Sequence, residues 1–253
     1  MADDSLRDLE RRFRATGSIE DEVAWLHARR AAGRIEPGRL ELAAWLGHPA
    51  AQRVVGPDAR DFHAAPHSTP AIGPLAGVEL PTGWIKNAAP LHPELGARAG
   101  IAALNRVVPQ AAELRRDCGA AVALAEDCVV CPCERHVTAA REAMERQEQA
   151  AAEPESSRLH KGVAFLLALV TDDETSGEAD DDSPEARLLA AILGDTPPST
   201  WMAEGVLVQA MVEGVEHGVS VDAISTAVRD ELVAWLLGYS DPIRERVEAR
   251  RRR

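Results

Sequence analysis

The chain has 253 residues, 45% of them hydrophobic but only 4% aromatic, and a formal net charge of −13 at pH 7. That length suits one large domain or two modest ones, and the negative charge argues against a general nucleic-acid binder, because phosphate repels an acidic surface. Alanine and leucine dominate the apolar residues; both are strong helix formers, whereas strands favour β-branched and aromatic residues.

Composition therefore predicts an all-α fold, a multi-helix bundle or an irregular helical-repeat-like array. No apolar run reaches the roughly 18 residues that a membrane helix needs. The opening Met1-Ala2-Asp3-Asp4 is acidic with no apolar core behind it, so no signal peptide is expected. The expectation is a cytoplasmic protein with neither a nucleic-acid nor a membrane partner. In that compartment clustered cysteines mean metal or redox chemistry more often than structural disulfides.

Residues 1–56 read as an N-terminal helical module. Ser5 is a candidate cap for the first helix, with Leu6, Leu9 and Phe13 on one face and Gly17 at its end. Ser18 with Asp21 forms a capping pair for the second, whose stripe is Ile19, Val23 and Leu26. Gly33 stops it, and Pro37 opens the third in the first-turn position that proline tolerates. Gly47-His48-Pro49 is a turn before a short helix over 50–55.

Residues 57–92 change character. Six prolines lie here, at 57, 66, 70, 74, 81 and 90. Proline removes a backbone donor and biases the preceding residue against helix, so this stretch reads as a linker anchored by Trp84 and Ile85. His63 and His67 have a metal-like spacing, but Pro66 between them makes exposed loop histidines the better reading.

Residues 93–153 form a central helical unit, with helices over 93–108, 111–130 (kinked near Gly119) and 132–149. Residues 154–253 form a C-terminal unit. It starts with an apolar helix over 159–170 and continues into an acidic loop at 172–183, which lacks the residue placement of an EF-hand and reads as solvated. Ser183-Pro184 opens a helix carrying Leu188, Ala191 and Ile192. A helix over 200–217 carries Val208, Met211, Val212 and Val215. Ser220 caps the next, with Ile224, Val228, Leu232 and Trp235 as its stripe, and Asp241-Pro242 starts the last. Arg250 to Arg253 read as a solvated tail.

The stretch with the most chemistry is Asp127-Cys128-Val129-Val130-Cys131-Pro132-Cys133-Glu134-Arg135-His136. Pro132 suits the first position of a helix, which makes Cys131 the cap and puts Cys133 in the first turn. Sulfur there faces unpaired backbone N–H groups and the positive end of the helix dipole, which favour thiolate. Three readings stay open. Cys128, Cys131, Cys133 and His136 can bind zinc as a Cys3His set, with Cys118 as a substitute ligand, although both ligand pairs then come from one crowded segment. Cys128 with Cys131, or Cys131 with Cys133, can cycle as a dithiol, although no thioredoxin-like pattern surrounds them. Or the cysteines are small apolar residues packed between two helices, which the neighbouring Ala123, Leu124, Val129 and Val130 favour. No phosphate loop, His-Glu-x-x-His or Gly-x-Ser-x-Gly motif is present, and no catalytic residue is assigned.

The opening Asp8-Leu9-Glu10-Arg11-Arg12-Phe13-Arg14-Ala15-Thr16-Gly17-Ser18, through Leu40-Glu41-Leu42-Ala43-Ala44-Trp45-Leu46-Gly47-His48, resembles a module of uncharacterised myxobacterial proteins. The segment from Ala125 to His136, leading into Ala139-Ala140-Arg141-Glu142-Ala143, is similar to an alanine-rich pattern in immunity proteins of bacterial toxin systems. Together the two cover about half of the chain. The resemblance implies a helical, non-enzymatic, protein-binding role, and it assigns the cysteines none. Two functions are therefore carried forward: an immunity-like interaction protein that neutralises a protein partner, and a zinc or thiol-redox protein centred on Cys128 to His136.

Overall fold

The structure is a computed structural model that describes residues 2–56, 69–70, 79–89, 92, 94–153, 158–171 and 198–253. It is all-α, as composition predicts. The chain divides into two compact units, Met1–Ala64 with Asp230–Asp241, and Ala65–Arg229 with Pro242–Arg253. His63, His67, the acidic loop 172–183 and the helix expected after Ser183-Pro184 lie outside the described residues.

The first unit holds α1 (Ala2–Thr16), α2 (Ile19–Ala31), α3 (Pro37–Trp45) and α4 (Pro49–Val55). Helix α1 starts upstream of the cap expected at Ser5. Gly17 closes it in the left-handed region, at φ 62°. Ser18 caps α2 as its spacing predicts, accepting the Asp21 N–H at 3.2 Å. Pro37 stands at the start of α3, and His48 caps α4 by accepting the Ala51 N–H at 3.3 Å.

An aromatic stack fills the middle of this unit. Trp25 lies 5.3 Å from Phe13 and 5.5 Å from Tyr239, centroid to centroid. Arg29 sits 4.7 Å above the Trp25 ring and donates to the Leu237 carbonyl. Arg39 does the same over Trp235, at 4.6 Å, and donates to the Trp235 carbonyl. The Tyr239 hydroxyl donates to Glu22, whose Oε1 is also 3.3 Å from His48 Nε2. Because His48 Nδ1 accepts the Ala51 N–H, the ring is neutral and its Nε2–H donates to Glu22. Burial holds His48 below the ordinary imidazole range, against the pull of Glu22.

The second unit begins with a minimal antiparallel pairing, Thr69–Pro70 with Glu79–Leu80, inside the stretch read as a linker. Ile85 is fully buried, as an anchor should be, in the one-turn helix α5 (Ile85–Ala88). Then come α6 (Leu95–Val107), α7 (Arg115–Val130), α8 (Glu134–Ala151), α9 (Arg158–Thr171), α10 (Pro198–Glu216), α11 (Val221–Leu236) and α12 (Pro242–Arg251). Helix α9 is the hub, packing on α6, α7, α8 and α10. Its Leu159, Val163, Leu166 and Leu167 are fully buried, so the helix reading of this apolar run holds.

Helix α7 starts at Arg115 rather than residue 111 and runs unbroken through Gly119. In α10, Met211 and Val212 are buried as expected, whereas Val215 is exposed. Helix α11 contributes to both units: Ile224 and Val228 belong to the second, and Leu232 and Trp235 to the first. The terminal arginines are not all a solvated tail. Arg250 binds Glu126 and reaches the Ala123 carbonyl at 3.1 Å, and only Arg251 to Arg253 stay exposed without such a role. Among the described residues, no helix is long and apolar enough to cross a membrane.

Candidate metal-binding site where two helices meet

Helix α7 ends at Val130 and α8 begins at Glu134, so the three residues between them set the geometry of the site. Cys131 is the C-cap of α7, with φ −147° and ψ 89°. Its carbonyl accepts the Cys133 N–H at 2.8 Å, a tight turn around Pro132. Cys133, not Cys131, is the N-cap of α8, at φ −86° and ψ 154°. Proline therefore stands before the cap instead of at the first helical position, because the turn it makes with Cys131 delays the helix by two residues.

This turn brings Cys131, Cys133 and His136 together, with one ligand atom from each lying within 4.8 Å of the others. Cys133 Sγ is 3.4 Å from His136 Nδ1. A tetrahedral zinc ion with Zn–S of about 2.3 Å and Zn–N of about 2.05 Å spans an S···N edge of about 3.5 Å, so the spacing fits. The same Nδ1 is 2.8 Å from the Cys131 carbonyl oxygen, and as that oxygen only accepts, Nδ1 carries the proton in the metal-free form. Metal binding at Nδ1 would move that proton to Nε2 or release it, at the cost of one hydrogen bond. The His136 backbone N–H, and then the Cys131 thiol, hold the Cys133 thiol below the ordinary thiol range.

Cys128 stands apart from this group. It is 2% exposed on α7, and burial, helped by Asp127, pushes its thiol up to about 11. The closed Cys3His set expected from the sequence thus reduces to two cysteines and one histidine, half-buried, exposed and half-buried in turn. Cys118 is further removed and fully buried among helices α7, α8 and α9. Its sulfur is 3.8 Å from both Gln147 Oε1 and His160 Nδ1, and burial, with Asp117 and Glu213 adding to it, pushes the thiol up to about 12. The core-packing reading therefore describes Cys118 and Cys128, while Cys131 is half-buried and Cys133 exposed.

Sequence reasoning missed the partners of these groups. Gln147 and His160 surround Cys118, and Asn105, Arg246 and Arg250 surround the buried Glu126. Each set draws its residues from several helices, and no local spacing announces them. No protein-family model, curated protein or solved structure matches this chain.

Proposed function

We propose that this chain binds a soft thiophilic cation, zinc foremost, at Cys131, Cys133 and His136. The carrying observation is the convergence of three ligand atoms within 4.8 Å at one helix junction. Two thiolates and one imidazole satisfy three positions of a tetrahedral ion and leave the fourth to water or to an incoming ligand. Cys133 is exposed, so the ion would exchange with solvent and with other chelators, unlike one sealed in a structural zinc knuckle.

Anaerobic titration of the reduced chain with Co2+ tests this, because thiolate ligation gives intense near-ultraviolet charge-transfer bands. One Co2+ per chain is expected. Cys133→Ser should weaken binding by more than the roughly 10–100-fold that an outer-sphere partner is worth, while Cys128→Ser leaves it unchanged. Affinity should fall from about pH 8 to about pH 6, since both thiols must shed protons before they can bind. The lowered Cys133 thiol reduces that loss without removing it. Absence of the charge-transfer bands, or their survival in Cys133→Ser, would sink the reading.

The net charge of −13 favours a second reading, the immunity-like binding of a basic protein partner. Binding to an immobilised basic protein should then weaken steeply between about 0.05 and 0.5 M salt. An affinity that does not change over that range would remove this reading.

A further inference from the structure

Helices α7 and α8 meet along faces that are half alanine. On α7 the face is Asp117, Ala120, Ala121 and Leu124, and on α8 it is Ala143, Arg146, Gln147 and Ala150. Both sets follow the i, i+3, i+4, i+7 spacing of one helical face. The alanines leave space between the two helices, and a cavity of 420 Å³ remains, lined also by His160 of α9. That volume lies at the small end of the range for small-molecule sites.

The polar groups around this cavity are unusually placed. Gln147 is only 6% exposed. Its Oε1 accepts from His160 Nδ1 at 2.7 Å and is approached by the Cys118 thiol at 3.8 Å. Nδ1 thereby carries a proton, since the amide oxygen only accepts. Gln147 itself lines the cavity. Arg146 on one wall and Asp117 on the other are both exposed and line the same cavity, yet no ion pair joins them. The cavity thus presents a cation, an anion and an amide beside Leu124 and four alanines. None of these groups belongs to the thiolate site.

We infer that this cavity binds a small zwitterion with an apolar body, in chemical class an apolar α-amino acid. Arg146 and the Gln147 amide take the carboxylate, since a guanidinium pairs with carboxylate through parallel N–H donors. Asp117 takes the ammonium group, and the side chain lies over Leu124 and the alanines. Cys118, sealed behind Gln147, is too buried to act as a nucleophile, so the site binds without reacting.

The test is calorimetric titration of the full chain with L-alanine, L-valine, L-leucine and L-phenylalanine, each up to about 10 mM, a reach that captures millimolar affinity. At least one should bind saturably. Its N-acetyl and carboxamide forms should each bind at least about tenfold more weakly, as each loses one charged contact. Arg146→Ala and Asp117→Asn, both at exposed positions, should weaken binding by a similar factor with an unchanged melting temperature. No saturable binding by any of the four overturns the inference. So does equal binding of a capped form, or binding that survives both substitutions. Cys131→Ser/Cys133→Ser should leave this binding intact, which separates it from the metal reading.

Discussion

Replacing Arg246 and Arg250 together by alanine should destabilise the chain by about 3–5 kcal/mol, the cost of leaving a buried charge without its partners. Glu126 on α7 is 2% exposed. Its Oε1 accepts from Arg246 and from Asn105 Nδ2, the latter at 2.9 Å, and its Oε2 accepts from Arg250. The two guanidiniums are 31% and 37% exposed, so they keep much of their hydration and the burden of desolvation falls on the carboxylate. Without them Glu126 retains one neutral donor. The check is a urea midpoint at constant slope. Adding Glu126→Gln to the double variant should then recover much of the loss, because a buried amide costs far less than a buried carboxylate. A triple variant no more stable than the double one would mean that the arginine stems, not their charges, hold α12 to α7.

The same ion network shows why the sequence gives up some features and withholds others. Several helix ends were legible from local signals. Ser18 caps α2, Pro37 opens α3, Ser220 accepts the Ala223 N–H at 3.2 Å, and Pro242 starts α12. Each depends on residues within four positions of one another. At Gly119 and Pro132 the reading drifted. Gly119 suggested a kink, yet an isolated glycine weakens a helix by only about 1 kcal/mol, less than the buried faces of α7 contribute. The arginine run at 250–253 looked solvated because its partner, Glu126, lies more than a hundred residues away.

The segment that holds the candidate site was legible, but not which of its residues converge. Clustering of Cys128, Cys131, Cys133 and His136 marks the segment, but helical phase decides which residues converge. Cys128 lies three residues before Cys131 on the last turn of α7 and faces inward, so it is lost to packing. Cys131 and Cys133 lie in the turn, where no helix dictates direction, and the turn at Pro132 swings both toward His136. Proline was read as a helix starter, a role it often plays. Here it makes the turn instead and hands the cap to Cys133.

Gly96→Val should cost about 3 kcal/mol, at the upper end of what added methyl groups cost in a packed core. A Cβ built at Gly96 on α6 would lie 2.8 Å from the Ala203 Cβ of α10, and one turn later a Cβ at Gly100 would lie 2.8 Å from Val206 Cγ1. These small residues let α6 and α10 approach closely. The Ala203 Cβ is fixed to the backbone and cannot rotate away, so the two helices must separate, and Leu104, Val107 and Leu207 along the same pair of helices lose contact with them. Gly96→Ala is the sharper test. Alanine raises helix propensity by about 1 kcal/mol over glycine, so on an open helix face it would stabilise. Here the contact should outweigh that gain and the urea midpoint should fall. Ala203→Gly in the Gly96→Ala background should restore part of the loss by reopening the contact, whereas Ala203→Gly alone should destabilise. A Gly96→Ala chain at least as stable as the parent would show that α6 and α10 are not held this close, and the buried face of α10 would then rest on its contacts with α9.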